Sequence, residues 1–168
     1  RTQGIALVGG FLFYYLFTQQ WSHLSITGIG FVLLALPWRL RNQIQDLGSS
    51  RYLTELMKVN PWRPERGEVS TFGLFERFVE QGSMLIAKGI PDSAFNFVTA
   101  DYQKDILFQE WVIGLLTLAA LMYGFWRLKK YRLLFVGYFL AVFVIVATWS
   151  ATVDNRYLIT FIPFMHLG

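Results

Sequence analysis

The chain alternates between long apolar runs and short polar ones. Four apolar runs are clear: residues 5–17 (IALVGGFLFYYLF), 23–38 (HLSITGIGFVLLALPW), 106–126 (ILFQEWVIGLLTLAALMYGFW) and 133–149 (LLFVGYFLAVFVIVATW). A fifth begins at Tyr157 and reaches the end of the chain. A membrane-spanning helix needs about 20 mainly apolar residues, with a usable range of about 17–25. The third and fourth runs meet this alone. The first two are shorter and reach it only with flanking Thr, Gln and Trp residues at the interface. Trp21, Trp38, Trp111, Trp126 and Trp149 fall at or near run ends, where an aromatic belt places them. The 133–149 run has no charged residue and no polar face, so a soluble helix there would have to be buried all round. The pattern predicts an all-α fold of polytopic transmembrane helices. Residues 1–38 form two spans, 39–105 an external, partly helical loop region, and 106–168 two spans and the start of a third.

Composition sharpens this picture. Of the 168 residues, 54% are hydrophobic and 15% charged, against about a quarter charged in soluble domains. The chain has no Cys, which excludes disulfide frameworks, thiolate metal sites and cysteine nucleophiles. Its two histidines, His23 and His166, are far apart, so no histidine-rich metal site is expected. The residues before Gln20 lack the long basic region and small-residue cleavage site of a signal peptide. Starting at Arg1 and ending in an apolar run, the chain reads as part of a longer membrane protein.

Charge sets the expected orientation. The stretch 127–132, RLKKYR, holds four cations between the third and fourth runs, a cytoplasmic mark by the positive-inside rule. The TQQWSH turn, 18–23, is then cytoplasmic too, and residues 39–105 are external. That region carries cations and acids in equal number. Arg39 and Arg41 lie at the external end of the second span, against the rule. They are either snorkelling anchors or cations with a task.

The external region carries its own signals. SSRYLTELMKV, 49–59, has a Ser cap and Leu53, Leu56 and Met57 at helical spacing. NPWRPERG, 60–67, has two prolines and a final Gly, and reads as a turn-rich break. From Ser70, Phe75, Phe78, Val79, Leu85 and Ile86 fall on one side of a helix, with Glu76, Arg77, Glu80 and Lys88 mostly on the other. Ser70 or Thr71 caps this helix, and Gly89 with Pro91 ends it. It either lies on the membrane surface or packs on the external ends of the spans; its mixed charge favours packing.

No Walker loop, H-E-x-x-H or G-x-S-x-G motif is present. The glycines of GIALVGG and TGIG read as close helix packing. Two external spots concentrate polar chemistry. In LPWRLRNQIQDLG, 36–48, Pro37 breaks or kinks the span end, and Arg39, Arg41 and Asn42 follow. Arg39 and Arg41 do not share a face of one helix, and Arg41, beside Asn42, is the favoured ligand contact. In DNRYLITFIPF, 154–164, Arg156 offers a fork of donors suited to bidentate phosphate binding. Tyr157 adds a hydroxyl or belongs to the aromatic belt. The alternative is a polar turn with an Asp154–Arg156 pair.

The residues Pro37-Trp38, Arg41-Asn42, Asn60-Pro61-Trp62 and Arg156-Tyr157-Leu158 with Pro163 together resemble the C-terminal half of bacterial GT-C membrane glycosyltransferases. The group is that of protein O-mannosyltransferases and lipid A aminoarabinose transferases. The resemblance spans most of the chain but rests on few positions. It implies an enzyme of the bacterial plasma (inner) membrane that moves a sugar from a polyprenyl-phosphate donor to an external glycan, lipid or protein acceptor. Arg156, Tyr157, Arg41 and Asn42 would then bind the lipid phosphate. The family's catalytic acid lies in an earlier external loop, so none is assigned here; Glu110 and Asp154, the acids nearest the spans, are not promoted to that role. The expected partners are membrane lipid, the lipid-linked donor and the acceptor, with no nucleic acid. No cofactor is required of this part, and metal dependence stays open. Two other classes remain: a surface-polysaccharide polymerase or ligase, and a transporter or membrane scaffold. A transporter should carry broken helices or charges within its spans, and these runs carry essentially none.

Overall fold

The structure is a computed structural model that describes residues 2–45, 56–60, 63–95, 101–102, 104–149, 158 and 161. Every regular element among them is helical: α1 (Thr2–Phe17), α2 (Trp21–Ile44), α3 (Thr71–Met84), a π turn (Leu85–Gly89), α4 (Ile90–Ala94), α5 (Phe108–Arg127) and α6 (Arg132–Thr148). One-turn 3-10 helices occupy Pro64–Arg66 and Lys129–Tyr131. Three stretches are long and apolar enough to cross a membrane: Trp21–Arg41, Phe108–Arg127 and Lys129–Thr148. The apolar part of α1, Gly4–Phe17, is shorter.

The bundle is organised around α6. Its inner face supplies Phe139, Val142 and Val146 to a core shared with Ala6, Leu85, Ile90, Leu121 and Phe125. Leu158 and Phe161 complete that core, each about 1% exposed or less. The Phe161 ring lies 5.2 Å from both Tyr138 and Phe139 and 6.2 Å from Phe125. Edge-on and tilted contacts of this kind add to what burial alone contributes.

Helix α1 packs closely along α6, and glycine makes the approach possible. A Cβ on Gly9 would lie 3.1 Å from the Cβ of Ala141, and one on Gly10 would lie 2.9 Å from the backbone nitrogen of Tyr138. On the other side Gly137 receives the ring of Phe13. Small residues let helix backbones meet where apolar burial does not distinguish helix from lipid. These pairs rise along α1 as they fall along α6, so the two helices are antiparallel. The α1–α2 turn, Thr18–Gln20, therefore sits at the same end of the bundle as the basic Arg127–Arg132 turn.

Helix α2 is continuous through Pro37 and runs to Ile44. Proline inside a helix removes one backbone bond and crowds the preceding turn, yet it does not end this one. The helix thus passes the boundary expected at residue 38, and Arg39, Arg41 and Asn42 belong to it. Its side chains are largely exposed, with Ile26, Ile29, Leu33 and Leu34 all more than half accessible.

Residues 56–60 and 63–70 pair in a small hairpin-like arrangement. Lys58 pairs with Glu68 as an antiparallel bridge, Val59 N–H donates to the Gly67 carbonyl at 3.0 Å, and Val69 N–H donates to Met57 at 2.6 Å. Pro64–Arg66 forms a one-turn helix within the expected Pro-rich turn, closed by Gly67 at φ +84°; Pro61 and Trp62 lie outside the described residues. The helix expected over 49–59 does not reach its predicted end, because Lys58 joins the bridge; residues 49–55 lie outside the described residues.

Candidate functional site: a buried lysine at a π turn

The segment from Thr71 to Ala94 is one unbroken helical run in three parts. Ser70 caps it, accepting from Gly73 N–H at 3.1 Å. The expected stop at Gly89 and Pro91 does not occur, and the run ends at Ala94. Pro91 lacks an N–H and would clash with the carbonyl four residues earlier in a regular helix. The chain widens into the π turn just before it, which puts Pro91 at the start of α4, where its missing donor costs little.

The π turn presses on α5. A Cβ on Gly114 would collide with the carbonyl oxygen of Ile86 and the Cα of Ala87, so only glycine fits there. From Leu85 to Pro91 nearly every residue is buried. Lys88 is among them, 2% exposed. It therefore does not share the solvated face of Glu76 and Glu80, as its helical phase implied. Residues 101–102 and 104–107 fold over it instead.

Its ammonium is fully engaged. Nζ donates to the carbonyls of Lys104 at 2.7 Å, Asp101 at 2.8 Å and Asp105 at 3.4 Å. Glu110 Oε2 lies 3.5 Å away. The same Oε2 accepts the Leu107 N–H at 2.8 Å, so Glu110 also satisfies an orphan donor at the start of α5. A carboxylate there opposes the positive end of the helix dipole. Nearby, the Tyr102 hydroxyl donates to Asp92 Oδ2 at 3.0 Å, a second tie between this segment and α4. An unpaired buried ammonium would cost several kcal/mol. Carbonyls, carboxylate and lysine thus form one lock.

Arg77 does similar work in the second turn of α3. Its fork donates from Nη1 to the Leu56 carbonyl and from Nη2 to the Lys58 carbonyl, both at 2.9 Å. This clips the hairpin to the helix. Desolvation lowers the pKa of the guanidinium from its ordinary value, but an arginine stays charged at any working pH.

The residues singled out in sequence fare differently. Arg41 is exposed on α2 and stacks over the Trp38 ring at 5.5 Å, a cation–π contact one helical turn long. Asn42 lies in the same helix. Arg156 and Tyr157 lie outside the described residues, as do Asp154 and Asn155. Leu158, the third residue of the RYL stretch, is buried in the core. Among the described residues no three His, Asp or Glu side chains come together as metal ligands. The sequence pattern missed Lys88. Its one signal was a lone charge inside the apolar stretch 84–91, MLIAKGIP. In comparisons with known proteins, the chain matches no family model, no curated sequence and no solved structure.

Proposed function

We propose that this chain is the phosphate-binding part of a membrane glycosyltransferase that uses a polyprenyl-phosphate sugar. The observation that carries the reading is the order of polar groups along the apolar helices. Arg41-Asn42 follows the first long span, and Arg156-Tyr157-Leu158 follows the last. In a bilayer, α2 leaves the end shared with the basic 127–132 turn and crosses to the opposite face. The last span, ending near Trp149, emerges on that same face. Arg41 then stands at headgroup depth on that face, external if the basic turn is cytoplasmic, and this reading assigns Arg156, seven residues beyond Trp149 in sequence, to the same face. The burial of Leu158 supports this reading, since Leu158 is the RYL residue that the structure describes and it belongs to the bundle core.

In this mechanism Arg156 binds the donor phosphate through its fork. As the sugar–phosphate bond breaks, negative charge grows on the leaving phosphate. A fixed cation near the low-dielectric boundary stabilises that charge more than water does. Arg41 assists electrostatically, and Tyr157 and Asn42 orient phosphate oxygens. The acceptor hydroxyl loses its proton to a base that is not assigned among these residues. The Lys88 lock serves as scaffold, fixing the segment before α5 on the external side.

The test is transfer from a polyprenyl-phosphate sugar by the protein in native lipid. Arg156→Ala should lower transfer by about 100-fold or more, as loss of a single charge-stabilising donor does. Membrane level and unfolding midpoint should stay unchanged. Arg156→Lys should recover only part, because an ammonium lacks the fork. Full transfer by Arg156→Ala would remove the phosphate role and favour a polymerase, a ligase or a non-catalytic scaffold.

A further inference from the structure

Helix α3 has two apolar sectors, and only one is used. Phe78, Gly82 and Leu85 face the bundle. The Phe78 ring lies 6.1 Å from Phe143, and Gly82 lies against Phe143 and Ala147. Next to that sector around the helix, Phe72, Phe75 and Val79 form an edge at i, i+3 and i+7. All three are exposed, at 69%, 62% and 49%. Glu76 and Glu80 lie beyond this edge and are also exposed, and Arg77 beyond them is taken up by the hairpin. Going round α3, the order is bundle, bare aromatic edge, acids, hairpin.

What covers the bare edge follows from where α3 sits. Phe143 and Ala147 belong to the last two turns of the span-length stretch Lys129–Thr148. The side chains that α6 itself leaves open there, Leu140 and Val144, are apolar too. The medium along this side of α6 is therefore hydrocarbon near its boundary. A helix held against it with one aromatic edge and one acidic edge meets both phases at once.

We infer that α3 lies at the membrane boundary, with Phe72, Phe75 and Val79 in the acyl region of the lipid and Glu76 and Glu80 in water. The bundle contact at Phe143 and Ala147 fixes its depth, and the aromatic edge fixes its roll. Interfacial helices are held in this way by an apolar face against the acyl boundary and a charged face above it. The inference rests on the membrane reading of α6 and not on glycosyl transfer.

The chain has no cysteine, so single nitroxide labels can be placed without background. Labels at Phe72→Cys, Phe75→Cys, Val79→Cys, Glu76→Cys and Glu80→Cys are read in the protein reconstituted in phospholipid vesicles. Val144→Cys serves as the hydrocarbon reference and Lys130→Cys as the aqueous one. Collision with oxygen, which partitions into lipid, is compared with collision with a water-soluble nickel chelate. The expected result is oxygen-dominated relaxation at 72, 75 and 79 and nickel-dominated relaxation at 76 and 80. Nickel access at 72, 75 and 79 equal to that at 76 and 80 would put the edge in water and overturn the inference. Labels shielded from both reagents would show it covered by protein, a second copy or another segment, and would overturn it equally. The Glu76 and Glu80 labels leave the apolar edge intact, so they report the same boundary even where a Phe substitution disturbs insertion.

Discussion

Replacing Lys88 by methionine isolates the lock between α3, α5 and the segment before α5. Methionine keeps the length and much of the volume of the side chain, so cavity formation is a minor term. The change takes the Lys88 donor from the carbonyls of Asp101, Lys104 and Asp105 and the cation from beside Glu110. A hydrogen bond to a charged group contributes about 1.5–3 kcal/mol, and breaking a buried ion pair from one side costs about 3–5 kcal/mol. Two features lower the total. Asp101, Lys104 and Asp105 are exposed, so their carbonyls can regain water. The Glu110 side chain is 29% exposed and keeps the Leu107 N–H. The expected loss is therefore about 3 kcal/mol. For a chain of this size that lowers the unfolding midpoint by about 6–12 °C. Glu110→Gln retains an oxygen for Leu107 and loses only the charge, for about 1 kcal/mol. In a double-mutant cycle the two changes should couple, because both remove the same contact. Thermal unfolding of the purified protein in detergent gives the midpoints, and trypsin cleavage after Lys104 reports release of the segment. Unchanged midpoint and cleavage in Lys88→Met would refute the lock.

Gly114→Ala puts a Cβ into the backbone of the π turn and should cost about 3 kcal/mol, the upper range for overpacking. Gly4→Ala, with nothing within 4 Å, should be neutral or slightly stabilising by helix propensity; equal unfolding midpoints for the two variants would count against the packing. A labelled cysteine at Lys130 in intact cells should resist a membrane-impermeant reagent while one in the 63–67 turn reacts, and the reverse pattern would invert the orientation.

Much of the fold was legible because its determinants are local. Each span is set by the length of an apolar run, and its ends by Trp and charged residues within a turn of it. Of the glycines read as close packing, Gly9 and Gly10 meet α6, whereas Gly28 and Gly30 of TGIG have nothing within 4 Å. The turn at 63–67 was equally local, written in Pro64 and Gly67. In the sequence Pro37 marks a break or kink at the span end, and α2 continues through it to Ile44. Where the structure departs from expectation at Pro91 and Lys58, the deciding partner lies outside the segment itself. Pro91 looked like a terminator, but the π turn and the close approach of Gly114 carry the chain past it. Lys58 looked helical until Glu68, ten residues on, paired with it.

The candidate site divides along the same line. Arg41 and Arg156 were found as residue types at span ends, which is a one-dimensional property. The helical phase of Lys88 puts it on a solvated face, which holds only for a regular helix with water on its far side. Residues 101–102 and 104–107 take the place of that water, and no periodicity within 71–94 encodes their arrival. The sequence by itself determined which stretches are apolar enough to enter a membrane, since burying a helix in lipid depends on its own composition. Tertiary structure alone decided which helix faces meet, which glycines are indispensable and which charge is buried. Those depend on atoms that approach from elsewhere in the chain, and a buried charge is tolerable only once its acceptors have arrived.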